Sequence, residues 1–244
     1  MDQAMAVDEN VRDRAQELKR IAGIAAADAL VSSNMRIGMG TGSTARYAIH
    51  RIAERIATGE LSNIAAVASS SQAAEECYAV GLSVLSLEDP RIAGELDLVI
   101  DGADEVDTAG RVTKGGGAAL LREKVMAYAA SRVAIVVTRD KHVADLGLTF
   151  PVPVEVVPFA AFPVRLSLER YGFSVSVRSG TGKMGPVITD NGNVILDVLF
   201  DGPQDVALLE SEIAEIPGVV EVGLFTRRTF DFFTVEPNGT ISSP

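Results

Sequence analysis

Met35-Arg36-Ile37-Gly38-Met39-Gly40-Thr41-Gly42-Ser43-Thr44 reads as a short strand running into a glycine-rich turn. Apolar residues then return at helical spacing through Ala45, Ala48, Ile49, Ile52 and Ile56. Outward from this unit, strand and helix go on alternating. Helices are expected over 11–30, 44–57, 72–80 and 118–130, and strands over 64–68, 82–85, 96–100 and 133–137. Such alternation predicts a parallel sheet covered on both faces. Ligands of these sheets bind outside the carboxyl ends of the strands. The glycine turn falls at one such end, and Asp101, directly after Leu98-Val99-Ile100, falls at another.

The texture changes near residue 150. Phe150-Pro151-Val152-Pro153-Val154-Glu155-Val156-Val157-Pro158 carries three prolines, which suits a linker or an edge strand. Beyond it a helix is expected over 162–171, strands over 173–178 and 194–200, and a hairpin turn at Asp190-Asn191-Gly192-Asn193. A helix over 203–216 ends before Pro217-Gly218. The reading is an α/β chain: a Rossmann-like parallel sheet domain (1–150 and 220–244) with a smaller α+β, ferredoxin-like second domain (151–219). Strands over 219–224 and 232–235 are expected to return to the main sheet.

At 244 residues the chain is long enough to bury a sizeable core. Hydrophobic content of 47% and charged content of 23% fit a soluble globular protein. A net charge of −11 argues against a nucleic-acid or anionic-membrane surface, so any phosphate must be held by local donors. A single cysteine, Cys77, excludes an internal disulfide and fits a reducing compartment. Residues 1–10 hold three acids and no apolar stretch, unlike a secretory signal, and no apolar run is long enough to span a bilayer. A cytoplasmic protein is expected.

Three segments carry chemistry. The glycine turn lacks the lysine of a P-loop, and no acid closes strand 64–68 to complete a dinucleotide site. What remains is a set of backbone N–H groups and the hydroxyls of Thr41, Ser43 and Thr44 for an oxyanion, or a tight turn with Ser43 or Thr44 as helix cap. Asp101-Gly102-Ala103-Asp104-Glu105-Val106-Asp107 misses calcium spacing and leaves open a magnesium site or a solvated acidic turn, with Asp104 and Glu105 partly exposed. Lys114-Gly115-Gly116-Gly117 puts a cation beside a turn that permits close backbone approach, and equally reads as a flexible surface loop. On the next helix Leu121, Val125 and Ala129 form the expected buried stripe, which leaves Glu123 on a solvated face. Lys141 follows strand 133–137, while His50 and His142 receive no role.

Taken in order, several stretches resemble type A ribose-5-phosphate isomerases over nearly the whole chain. They are Gly40-Thr41-Gly42-Ser43-Thr44-Ala45, Val99-Ile100-Asp101-Gly102-Ala103-Asp104-Glu105, Lys114-Gly115-Gly116-Gly117-Ala118-Ala119-Leu120 and Arg122-Glu123-Lys124. Pro153-Val154-Glu155-Val156, Thr189-Asp190-Asn191-Gly192-Asn193 and Ile216-Pro217-Gly218-Val219-Val220-Glu221-Val222-Gly223-Leu224-Phe225 extend the match. Residues 1–10 are extra, and 179–183 read as a slightly longer hairpin.

The resemblance implies interconversion of ribose 5-phosphate and ribulose 5-phosphate without metal or cofactor. It implies that Glu123 is the base moving a proton between C2 and C1, and that Lys114 polarises the carbonyl oxygen. Asp101 would assist ring opening and move hydroxyl protons, while Asp104 orients the sugar. Thr41, Gly42, Ser43, Thr44, Gly102, Ala103, Gly115, Gly116 and Gly117 would complete the substrate site, with Lys19 and Lys141 on the phosphate. A homodimer or homotetramer is expected. A non-catalytic sugar-phosphate sensor, an amino-sugar phosphate deaminase and a coenzyme A transferase are the competing readings. The sensor would need a DNA-binding segment, which neither the single N-terminal helix nor the acidic charge suggests.

Overall fold

The structure, a computed structural model, describes residues 2–180, 182 and 184–242. Met1 lies outside these, as do Thr181 and Lys183 of the expected longer hairpin. The chain begins with α1 (Asp2–Leu30), β1 (Arg36–Met39), α2 (Ala45–Ala57), β2 (Ala65–Ala68), α3 (Ser71–Ala79) and β3 (Leu96–Asp101). Two short strands, β4 (Glu105–Val106) and β5 (Val112–Thr113), precede α4 (Leu120–Ala129) and β6 (Ala130–Thr138). Then follow β7 (Val152–Val156), α5 (Ala161–Arg170), β8 (Ser174–Val177), β9 (Val194–Leu199) and α6 (Val206–Ala214). The chain closes with β10 (Val219–Val222), β11 (Leu224–Phe225), β12 (Asp231–Val235) and β13 (Ile241–Ser242).

The main sheet has the order β13-β12-β6-β3-β1-β2, all parallel except β13. Side chains alternate between its faces. Ile37, Met39, Leu98 and Ile100 pack under α1 and α2, while Val99, Val133, Ile135 and Val137 pack under α4. Each such buried aliphatic contributes roughly 1.5–3 kcal/mol. Asp101 shares the parity of Val99, so β3 delivers its carboxyl to the α4 side. Chain order reverses direction between β1 and β3, the switch point where a crevice opens at the strand ends.

A second sheet, β10-β7-β9-β8, is antiparallel and buries Val152, Val154, Leu196 and Val198 against α5 and α6. A third, β11-β5-β4, ends in Lys114.

Several expectations change. The proline-rich strand β7 is central, not an edge or linker. Its Pro153 lies one residue beyond the last β10 pair, Val222 with Val154, so the missing N–H breaks no bond of that ladder. Val219–Val222 pairs with β7 in the second sheet and not in the main one. Residues 82–85 form no strand, only a single bridge between Val84 and Ala66. On α4 the phase is different: Leu120, Glu123, Lys124, Met126 and Ala127 are buried, whereas Val125 and Tyr128 are exposed. Apolar periodicity misplaces this face because two of its buried residues are charged. Lys124 reaches Glu210, Glu221 and the carbonyls of Val222 and Leu224 at 2.7–2.9 Å, which compensates its burial.

Candidate active site

Parallel β1, β3 and β6 end side by side, and their loops enclose a cavity of about 200 Å³. It is lined by Lys19, Thr41, Gly42, Ser43, Thr44, Gly102, Ala103, Asp104, Lys114, Gly115, Gly116, Gly117, Glu123 and Lys141. Every residue singled out for the site is therefore at this one cavity, except that Asp101 stands directly behind it in contact with Lys114.

The floor is a knot of three ionisable groups. Lys114 Nζ lies 2.9 Å from Asp101 Oδ2 and 3.4 Å from Glu123 Oε2, and donates to the Gly102 carbonyl at 2.6 Å. Asp101 is 1% exposed, and Lys114 and Glu123 are each 4% exposed. Lys114 is aimed inward because its own N–H bonds the Gly223 carbonyl at 2.9 Å, at the corner between β10 and β11. Glu123 occupies the first turn of α4. Its proton is held there by burial, which outweighs the nearby ammonium and pushes the carboxyl up to about 8. Burial likewise raises Asp101 above the usual carboxylate range, opposed by Lys114. Burial alone would lower the ammonium, but Asp101 and Glu123 more than offset it and keep Lys114 charged.

Above the knot, Asp104 Oδ2 accepts the Gly116 N–H at 2.7 Å. Glycine is required there, since a Cβ on Gly116 would lie 2.5 Å from Asp104 Oδ1. The other acids of the run are structural. Glu105 is fully buried, against expectation, because its two oxygens take the N–H groups of Gly147 and Phe150 and the Thr149 hydroxyl. Asp107 pairs with Arg111 and closes its own turn. Among the described residues no group of three His, Cys, Asp or Glu side chains is placed to hold a metal ion.

Two further cations line the cavity. Lys19 Nζ donates to Ser43 Oγ at 3.0 Å, and Lys141 also lines the wall. Thr44 is the residue before α2, yet its hydroxyl makes no capping bond, so the capping reading of the turn does not hold for it. Thr41 is committed elsewhere, to Ser69 and Ser70. The amides of Gly42, Ser43 and Thr44 have no backbone partner among the described residues and sit at the N-terminus of a helix, an anion-binding arrangement.

A family model for ribose 5-phosphate isomerase A (phosphoriboisomerase A) matches residues 65–239. The curated ribose-5-phosphate isomerase A of Treponema denticola is 43% identical over 92% of this chain and 97% of its own. The chain belongs to the ribose-5-phosphate isomerase A family. Ribose-5-phosphate isomerase A is an aldose–ketose isomerase that interconverts D-ribose 5-phosphate and D-ribulose 5-phosphate through an ene-diolate. Solved isomerases share the architecture. The Plasmodium falciparum enzyme superposes with a TM-score of 0.88 at 32% identity, covering 94% of this chain and 98% of that one. A D-ribose-5-phosphate isomerase in complex with phospho-erythronic acid gives 0.89 at 35% identity with the same coverage.

Gln72 and the segment Val136, Val137 and Thr138, which no motif marks, also line the cavity. Strand order holds the signal for Thr138: β6 neighbours β3, so its end must face the same crevice. Gln72 opens α3 directly after β2, at the next strand end.

Proposed function

We propose that the isomerisation is carried by Glu123, Lys114 and Asp101 acting on the open-chain sugar, with Asp104 and the glycine loop orienting its hydroxyls. The observation that carries this is the buried carboxyl of Glu123, poised near neutrality beside an ammonium that is itself paired with a second carboxyl. Deprotonated Glu123 takes the hydrogen from C2 as a proton, and the electron pair moves to form the C1–C2 double bond. Negative charge then grows on the C1 oxygen, where the Lys114 ammonium stabilises it. Asp101 relays the hydroxyl proton from O2 to O1. Glu123 returns its proton to C1, and O2 becomes the ketone. One proton has moved from C2 to C1 and one from O2 to O1, so the steps balance with no external redox partner.

Phosphate binding is assigned to Lys19, Ser43, Thr44 and Lys141, which supply cations and amides remote from the reacting carbons. Binding energy spent there positions the sugar for proton transfer. A relative solved in complex with phospho-erythronic acid, a phosphorylated sugar acid, supports a phosphorylated ligand. No helix among the described residues is long and apolar enough to cross a membrane. A cytoplasmic location, a homodimer or homotetramer, and a division at 1–150 plus 220–244 and 151–219, with β10 as a whole kept in the smaller unit, belong to the same proposal. The test is to incubate the protein with ribose 5-phosphate and follow the ketose. Unphosphorylated ribose should turn over far more slowly, and equal rates for the two sugars would remove the phosphate site.

A further inference from the structure

Arg178 stands outside the cavity, on the second sheet, yet its guanidinium reaches the glycine loop. Ser176 and Pro153 both pair with Asp197, which puts the three on one sheet face, and residue 178 extends that face by one repeat. From there Arg178 Nη1 donates to the carbonyls of Gly115 and Gly116 at 2.7 and 2.9 Å. Its Nε donates to Asp197 Oδ2 at 2.9 Å and its Nη2 to Oδ1, a bidentate pair that fixes the plane of the fork.

Holding these carbonyls has a directional result. No peptide bond among the described residues is cis, so each N–H points away from the carbonyl of its own unit. The unit with the Gly115 carbonyl carries the Gly116 N–H, and that N–H donates to Asp104 on the cavity side. The next unit pairs the Gly116 carbonyl with the Gly117 N–H. Gly117 lines the cavity, and its N–H has no hydrogen-bond partner among the described residues.

We infer that Arg178 is a positioning residue: by anchoring the Gly115 and Gly116 carbonyls it presents the Gly117 N–H to a sugar oxygen. Its charge also polarises those peptide units, which strengthens the N–H as a donor. The Gly115 carbonyl also takes the Ala118 N–H at 2.9 Å, so among the described residues it is the Gly116 carbonyl that Arg178 alone holds; without that bond the Gly116–Gly117 unit loses conformational entropy each time substrate binds. The inference rests on the sugar lying beside Asp104 and Lys114 as proposed above.

Kinetics of Arg178→Gln, Arg178→Lys and Asp197→Asn test it, with phospho-erythronic acid and inorganic phosphate as competing ligands. Arg178→Gln should cut kcat/KM roughly tenfold to hundredfold, the scale of a small misplacement in an active site. Phospho-erythronic acid should weaken with it. Inhibition by inorganic phosphate, assigned above to Lys19, Ser43, Thr44 and Lys141, should stay at the parent value, as should the melting temperature. Arg178→Lys should recover part of the loss. Parent kinetics in Arg178→Gln would overturn the inference. So would a parallel loss of phosphate inhibition and melting temperature, which would make Arg178 a fold-holding residue only. Should Arg178→Gln fail to fold, Asp197→Asn decides on the same readouts. A parent protein that leaves ribose 5-phosphate unchanged would instead sink the assignment of roles in the cavity.

Discussion

Replacing Lys114 with methionine removes one ammonium from between two buried carboxyls. At an effective dielectric constant of about 20, its attraction to an ionised Asp101 at 2.9 Å amounts to about 6 kcal/mol, and that to Glu123 at 3.4 Å to about 5 kcal/mol once this carboxyl has lost its proton. Burying the ammonium costs several kcal/mol in return, and breaking a buried pair by removing one partner typically destabilises by about 3–5 kcal/mol. For a chain of this length that is a fall in melting temperature of roughly 6–20 °C. The sign of its pH dependence is fixed by the remaining groups. Both carboxyls already titrate above their unfolded values of 3.8 and 4.5, and without Lys114 they rise further. The folded variant then binds protons that its unfolded chain lacks, so its stability falls as pH rises between about pH 5 and about pH 8. The parent's Glu123 also keeps its proton up to about 8, so thermal unfolding of parent and Lys114→Met should show the deficit widening with pH mainly above that value, where the parent has released the proton and the variant has not. A deficit independent of pH, or one that grows on acidification, would refute the charge knot.

Three further outcomes follow from the same geometry. Glu123 works deprotonated and is held up to about 8, so kcat/KM should rise with pH and level off only above that value; a profile already flat between about pH 6 and 8 would contradict it. Lys141→Ala should raise KM with kcat nearly unchanged, because a phosphate contact is made in ground and transition states alike, and an unchanged KM would remove Lys141 from the site. Gly40→Ala puts a Cβ 2.1 Å from Asp101 Oδ1 and 2.6 Å from its Cα, where backbone cannot yield. It should cost about 1–3 kcal/mol in thermal unfolding and lower kcat through the displaced carboxyl, and a variant of parent stability would show that β3 can shift.

Much of the architecture was legible because it rests on alternation. The strand, turn and helix at Met35 to Ala57, and the placement of Asp101 at a strand end, follow from periodicity and from where parallel sheets bind ligands. What periodicity could not see are buried charges. Glu123 reads as solvated on α4, since its burial rests on Lys114, just after β5, and Asp101 of β3, and that of Lys124 beside it on α6, β10 and β11. Glu105 was misread for the same reason: its partners, Gly147, Thr149 and Phe150, lie more than forty residues away. The role of Glu123 came from resemblance, and Arg178 from neither, because its effect passes through two peptide units before it reaches the cavity.

The central claim is that Glu123 moves the C2 proton, and exchange of that hydrogen with solvent deuterium measures it directly. Glu123→Gln keeps the shape and most hydrogen bonding of the side chain but cannot accept a proton. Binding of phospho-erythronic acid should persist at the parent affinity, while exchange of the C2 hydrogen of ribose 5-phosphate falls by roughly 10²–10⁴-fold. Exchange at the parent rate in Glu123→Gln would contradict the account and place the base elsewhere.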